Sequence, residues 1–177
     1  RNGQGTLEHY YPKLDFSPSL KKRIIYMFTL GKSVGVSGAI VLASNQIIDY
    51  LIQKAKTYIY TTALSPALAN GILTSLEIIL KDKELRKKLQ ENISCFRKTI
   101  KNKKLLSNSI TPIQPIFIND TQKSIKLSKK LLEKGFYVPV IRPPTVPKNT
   151  ARLRISISSL HEIKNVKELA ELINLNT

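Results

Sequence analysis

Cysteine, histidine and tryptophan are nearly absent from this chain of 177 residues. It contains one cysteine, Cys95, two histidines, His9 and His161, and no tryptophan. A single cysteine excludes an internal disulfide and a thiolate zinc site, and it is consistent with a reducing compartment. The two histidines are far apart, and neither has a neighbour at metal-ligand spacing. We therefore expect no metal site and a cytoplasmic location.

Long apolar runs and acidic side chains are also scarce. No run approaches the roughly 20 apolar residues that cross a bilayer, and no signal-peptide pattern starts the chain, so we expect no membrane association. Only 12 Asp and Glu oppose 29 Lys and Arg, which gives a formal net charge of +17. Such a surplus usually suggests a nucleic-acid partner. Here the lysines are spread along predicted helices without interleaved aromatic residues, which favours a solvated lysine face and no nucleic acid.

The pattern of apolar residues predicts an α/β fold with a break near residue 80. Continuous apolar runs at 23–30 and 38–43 predict strands in a sheet covered on both faces. After a loop over 1–19 and these strands, we expect a helix over 46–58 capped by Asn45. A second helix starts at Ser65 and Pro66, bends near Lys81 and reaches about 101. The remainder predicts an edge strand at 113–118, a helix at 121–134 stopped by Gly135, strands at 136–141 and 151–158, and a helix at 166–175 capped by Asn165.

Lys32 stands in a glycine-rich turn between the first two predicted strands. A lysine crowded between buried strands is costly unless its amine is used, for example to add to a carbonyl group. The simpler alternative is a surface-loop lysine. A phosphate-binding P-loop is excluded, because the glycine required five residues before Gly31 is replaced by Tyr26.

Two further stretches carry polar groups suited to anions. Thr61 and Thr62 precede the helix that starts at Pro66, where hydroxyls and unpaired N–H groups form an anion site or simply cap the helix. In the strand 151–158, Arg152 and Arg154 share one polar face, and either guanidinium suits a carboxylate. The proline-rich loop 143–149 contains Thr145, held between prolines.

Together, residues 29–38, 58–66 and 141–155 resemble three motifs of the pyridoxal-phosphate-dependent α-oxoamine synthases, in that family's order. The resemblance implies a fold-type-I aminotransferase-like architecture. It further implies that residues 1–80 are the C-terminal part of the large cofactor-binding domain and residues 81–177 the small α+β C-terminal domain. The family's cofactor-stacking histidine and its pyridinium-pairing aspartate would lie upstream. We therefore expect a fragment that is inactive alone.

The resemblance also implies a role for each site residue. Lys32 would bond covalently to pyridoxal phosphate and Thr29 would bind the cofactor phosphate. Thr61 and Thr62 would reach the phosphate held by the partner subunit of a homodimer. Arg154 would hold the amino acid's carboxylate, and Thr145 would contact the substrate. Only the motif register favours Arg154 over Arg152.

The variant Arg-Pro-Pro-Thr-Val-Pro at 142–147 points to one branch of the family. That branch is an acyltransferase that condenses L-alanine with a pimeloyl thioester, on coenzyme A or acyl carrier protein. It releases carbon dioxide and forms 8-amino-7-oxononanoate for biotin biosynthesis. A sister activity, aminolevulinate synthase or glycine C-acetyltransferase, is the near alternative. A non-enzymatic basic module that binds RNA or another anion is the distant one.

Overall fold

The computed structural model describes Tyr11 and residues 17–177, so His9 and most of the predicted loop 1–19 lie outside the described residues. The chain divides into two compact units, one ending at Lys83 and the other beginning at Glu84. Their assignment to a large and a small domain remains a prediction.

The elements of the first unit are α1 Pro18–Lys21, β1 Tyr26–Thr29, β2 Ala39–Leu42, α2 Asn45–Lys54, α3 Lys56–Ile59 and α4 Pro66–Lys81. Those of the second are α5 Glu84–Thr99, a 3₁₀ turn Lys103–Leu105, β3 Ile113–Phe117, α6 Thr121–Glu133, β4 Val140–Ile141, β5 Arg152–Ser156 and α7 Ile163–Leu175.

The first unit contains a two-stranded antiparallel sheet, in which Tyr26 pairs with Leu42 and Thr29 with Ala39. The prediction of a sheet covered on both faces is wrong for the described residues. Met27 is 62% exposed and Leu42 is 55% exposed. Among the described residues β1 and β2 pair only with each other, and a two-stranded sheet this short leaves outward side chains such as these uncovered.

The helices of the first unit follow the predictions in part. Ser65 accepts a hydrogen bond from the Leu68 N–H at 3.3 Å, and Pro66 occupies the first turn of α4, as predicted. The expected helix over 46–58 is two helices, α2 and α3, separated at Ala55, whose backbone is extended. Its N-cap residue is Ser44 and not Asn45, which already lies inside the helix.

The second unit is a three-stranded antiparallel sheet with helices on one face. The strand order is β3-β5-β4, so β3 is an edge strand as predicted. Leu153 and Ile155 point into a core shared with α5, α6 and α7, while Arg154 and Ser156 are exposed on the opposite face. The predicted alternation of 151–158 is confirmed, and it leaves the outer sheet face free to carry polar groups.

Pro115 lies in the middle of β3, opposite Arg154 of β5. Ile157 donates its backbone N–H to the Pro112 carbonyl, so hydrogen-bonded pairs fall on alternate residues. Pro115 therefore occupies a position whose N–H would point away from β5, and the sheet loses no ladder bond.

Two predictions for the second unit need correction. The strand expected at 136–141 is confined to Val140–Ile141, because the segment after Gly135 diverges from β5 and rejoins it only when Pro139 accepts from the Arg154 N–H. The final helix begins at Ile163 after Glu162, so Asn165 lies in its first turn and is not its cap. Gly135, with a φ of 85°, ends α6 as predicted.

Candidate active site

The loop between β1 and β2 carries Lys32. The Leu30 N–H donates to the Gly38 carbonyl at 2.9 Å, which extends the strand ladder by one step. Inside the loop, the Gly35 N–H donates to the Lys32 carbonyl at 2.9 Å and closes a tight turn. Gly35 has a φ of 72°, a left-handed conformation that glycine adopts without strain. Lys32 is therefore held at a defined backbone position at the tip of a hairpin.

The Lys32 side chain is exposed, as are those of its neighbours Gly31 and Ser33. The expectation that this lysine is crowded between buried strands is thus wrong for the described residues, because side chains of the flanking strands such as Met27 and Leu42 are themselves exposed. Its exposure agrees with the simpler alternative, a surface-loop lysine. Only Leu30, at 1% exposure, is buried beside it. An exposed amine on an ordered turn is accessible to a carbonyl compound.

The N-terminal half of α4 packs against this loop. A Cβ placed on Gly71 would lie 3.6 Å from Cγ2 of Val36, and one placed on Gly38 would lie 3.4 Å from Cδ1 of Leu30 and 4.0 Å from Cδ1 of Leu64. The small residues thus allow the loop and the start of α4 to approach closely. Gly71 of α4 and Leu64 just before the helix therefore lie close to the loop that carries Lys32.

Three threonines predicted to contact phosphate lie in this unit and are exposed. Thr29 ends β1, two residues after Met27 on the same side of the strand. Thr61 donates its hydroxyl to the Thr57 carbonyl at 2.6 Å, so it closes the end of α3. Thr62 has no side-chain hydrogen bond among the described residues, which leaves its hydroxyl available. The structure therefore separates two neighbours that look equivalent in the sequence.

Arg152 and Arg154 are separated in the same way by their surroundings. Arg152 is half-buried, stacks its guanidinium 4.5 Å from the centre of the Phe117 ring, and donates Nε to the Thr150 carbonyl at 3.0 Å. Arg154 is exposed, and its guanidinium has no hydrogen bond or ion pair in the described part of the chain. Arg154 is the arginine that is free to bind a carboxylate.

Thr145 lies in the proline-rich loop of the second unit, in a turn closed by its own N–H, which donates to the Arg142 carbonyl at 3.0 Å. Its side chain is exposed. Like Arg154, it presents a free polar group on the unit that begins at Glu84, whereas Lys32, Thr29, Thr61 and Thr62 belong to the other unit.

A cavity of about 370 Å³ adjoins Arg154, where the segment after Gly135 diverges from β5. Its lining includes His161 and Asn165, which sequence reasoning did not select. The turn bearing His161 is fixed by the buried Asn92, which donates Nδ2 to the Ser158 and His161 carbonyls, each at 3.0 Å. The sequence signal for this role of Asn92 is that a polar residue interrupts the apolar stripe of α5.

These residues fit an anionic carbonyl cofactor in kind. The first unit offers an exposed primary amine, exposed hydroxyls and the N-terminus of a 16-residue helix, which favours negative charge. The second offers an unpaired guanidinium for a carboxylate.

In the part of the chain that the structure describes, no helix is long and apolar enough to cross a membrane.

Comparison with known proteins gives consistent matches. The family model for aminotransferases of class I and II matches residues 5–173. The 8-amino-7-oxononanoate synthase of Chromobacterium violaceum is 43% identical over 151 residues, covering 85% of this chain and 39% of that protein. The chain thus spans about two fifths of the length of the curated relatives it matches.

Solved structures agree with these matches. The crystal structure of 8-amino-7-oxononanoate synthase from Francisella tularensis matches with a TM-score of 0.74 and 35% identity, covering 86% of this chain and 45% of that one. Serine palmitoyltransferase of Sphingomonas wittichii matches with a TM-score of 0.77 over 86% of this chain and 39% of its own. At 22% identity, the latter likeness concerns the fold alone.

Proposed function

Because the chain belongs to the class I and II aminotransferase family, we propose that it contributes the lysine-bearing part of the active site of 8-amino-7-oxononanoate synthase. Its predicted fold-type-I aminotransferase-like architecture is confirmed by the family model and the solved structures. The reaction would condense L-alanine with a pimeloyl thioester, releasing carbon dioxide and the thiol carrier. The observation that carries the proposal is an exposed lysine on an ordered hairpin loop that approaches α4 at Gly71, in a chain 43% identical to such an enzyme.

In this proposal, Lys32 binds pyridoxal phosphate and moves a proton at the α-carbon of the substrate. Pyridoxal phosphate, when bound, withdraws electrons from that carbon. A primary amine fixed by its backbone turn holds or releases the proton at a defined position. Thr29 donates its hydroxyl to the cofactor phosphate, and Thr62 donates to the phosphate held by the partner subunit. Thr61 supports Thr62 by closing α3.

Arg154 would orient L-alanine through its carboxylate. A planar guanidinium donates two parallel N–H bonds to the two oxygens, which fixes both position and rotation of the substrate. Arg152 cannot do so without leaving Phe117 and the Thr150 carbonyl. Thr145 contributes one further hydroxyl from a loop stiffened by prolines.

The proposed assembly is a homodimer, in which Thr62 would reach the partner's cofactor with Thr61 supporting it. The proposed location is the cytoplasm. Curated relatives named 8-amino-7-oxononanoate synthase support this branch of the family over its sister activities. The acyl donor is pimeloyl-coenzyme A or pimeloyl-acyl carrier protein.

Borohydride trapping tests the assignment of Lys32. The full-length protein that carries this sequence is mixed with pyridoxal phosphate, reduced, digested and analysed by mass spectrometry. We expect the cofactor label on the peptide that contains Lys32. A label on another lysine would show that the assignment is wrong.

The Lys32→Ala variant provides the complementary test. It should lose the absorbance of the lysine-linked cofactor and all synthase activity. It should keep its stability within about 0.5 kcal/mol, because the side chain is exposed. Lys54→Ala, which removes an exposed lysine from the same unit, serves as a matched control that retains both properties.

A further inference from the structure

One face of α6 carries three lysines along an apolar groove. Lys123, Lys126 and Lys130 are spaced by three and four residues, so they share a helix face over about 10 Å. All three are exposed. They line a groove of about 460 Å³ whose apolar floor is formed by Leu105, Ile118 and Leu127, and Asn176 and Thr177 complete its lining. We refer to the three lysines and the three apolar residues as the lysine groove.

The positive charge of the lysine groove is not neutralised by the described residues. The ion pairs found among residues 17–177 join other lysines to acidic neighbours, as in Lys164–Glu162 and Lys167–Glu171. None of the three groove lysines has its Nζ within 4.0 Å of a described carboxylate oxygen. Lys130 donates only to the neutral amide oxygen of Asn176, at 2.9 Å. Two acids lie three residues from a groove lysine: Asp120 caps α6, and Glu133 forms no ion pair with Lys130 in the described part of the chain.

The lining of the groove indicates the chemistry of its occupant. Among the described residues no aromatic and no arginine side chain lines it, so these residues offer no platform on which a nucleic-acid base or the adenine of a nucleotide could stack. An apolar floor with a rim of ammonium groups instead fits an apolar anchor flanked by carboxylates. That arrangement is the exposed face of an acidic amphipathic helix on a protein.

We propose that the lysine groove docks the acidic protein that carries the acyl chain as a thioester. The inference rests on the proposed function, which requires a thioester held on coenzyme A or on a carrier protein. The net charge of +17 on these 177 residues would attract such a partner. The apolar floor and the lysine spacing would then select one orientation of the bound helix.

Titration calorimetry with purified acyl carrier protein tests the proposal on the full-length enzyme. The triple variant Lys123→Glu, Lys126→Glu, Lys130→Glu should raise the Kd for the carrier by about 10- to 100-fold. A control triple variant, Lys87→Glu, Lys164→Glu, Lys167→Glu, makes the same change in net charge within the same unit. It should change the Kd by less than about threefold, because each of those lysines lies on another helix and has its own acidic neighbour. Far-UV circular dichroism checks that both variants are folded.

Two results would overturn the proposal: an equal loss of affinity in both triple variants, or an unchanged Kd in the groove variant. Selective loss of binding to an RNA oligonucleotide or to coenzyme A, with the carrier Kd unchanged, would likewise assign the groove to another ligand. Turnover of pimeloyl-coenzyme A, measured on the same variants, separates the two claims. An enzyme that uses the coenzyme A thioester but does not bind the carrier contradicts only the docking surface. An enzyme that binds the carrier at the groove but turns over neither donor contradicts only the proposed function.

Discussion

At the scale of the residue, the two arginines of β5 give the sharpest prediction. Arg154→Ala should weaken the use of L-alanine by about ten- to a hundredfold, because a hydrogen-bonded carboxylate pair contributes roughly 1.5–3 kcal/mol. Arg154→Lys should restore little, since an ammonium lacks the two-pronged donor geometry. Steady-state kinetics of the full-length enzyme with alanine varied measures both effects.

Arg152→Ala is the matched control for that experiment. It removes the stacking on Phe117 and the bond to Thr150, so we expect a loss of about 1–2 kcal/mol in unfolding free energy and a smaller change in alanine use. A higher alanine concentration required by Arg152→Ala, with normal kinetics in Arg154→Ala, would mean that the alignment of the motif is wrong by two residues.

Single residues also show what the sequence could and could not predict. The alternation along β5 was enough to place Arg152 and Arg154 on one polar face. It could not say which is free, because Phe117, which engages Arg152, belongs to a strand distant in the chain. Whether Lys32 is crowded or exposed was left open by the sequence for a similar reason. Apolar runs predict strands, but they do not reveal how much of a strand's surface the rest of the chain covers.

At the scale of the element, the start of α4 distinguishes helix capping from anion binding. Ser65→Asp keeps a good N-cap and should leave the unfolding free energy nearly unchanged, whereas Ser65→Ala should lower it by about 0.5–1 kcal/mol. If a cofactor phosphate sits at this end of the helix, the added carboxylate should also weaken cofactor binding through like-charge repulsion. Chemical denaturation and cofactor titration of the full-length protein measure the two effects separately.

Thr61 and Thr62, which lie between α3 and α4, provide a second comparison. Thr62→Val should weaken cofactor binding more than Thr61→Val, because the Thr61 hydroxyl is already bonded to the Thr57 carbonyl. A larger loss of cofactor affinity in Thr61→Val than in Thr62→Val would show that the hydrogen bond that closes α3 matters more than a hydroxyl donated to the phosphate.

Elements with local signals were predicted well. Ser65 with Pro66 fixes the start of α4, and Gly135 fixes the end of α6. The extent of β4 was not predictable, because pairing with β5 is a long-range contact that stops where the backbone diverges after Gly135. The prediction that Asn165 caps the last helix was wrong, because the helix begins earlier, at Ile163. Its N-cap residue is Glu162, which makes no side-chain cap bond and so gave no local signal in the sequence.

At the scale of the whole molecule, we expect the 177-residue chain by itself to bind pyridoxal phosphate weakly. Lys32, Thr29 and Thr62 are exposed, so a bound cofactor would be held by few contacts and would remain open to water. Spectrophotometric titration of the isolated chain measures this affinity. Tight stoichiometric binding would show that the residues of this chain suffice for the cofactor.

Association between copies is shaped by Pro115 in the edge strand β3. Without an N–H there, the outer edge of the sheet lacks one donor that an incoming strand would need, and Leu106 bridges Ile116 at the next position. The edge is therefore a poor template for sheet extension from one molecule to the next. In a chain that leaves many apolar side chains exposed, this ring makes strand pairing between copies at β3 less favourable while costing the native sheet no hydrogen bond.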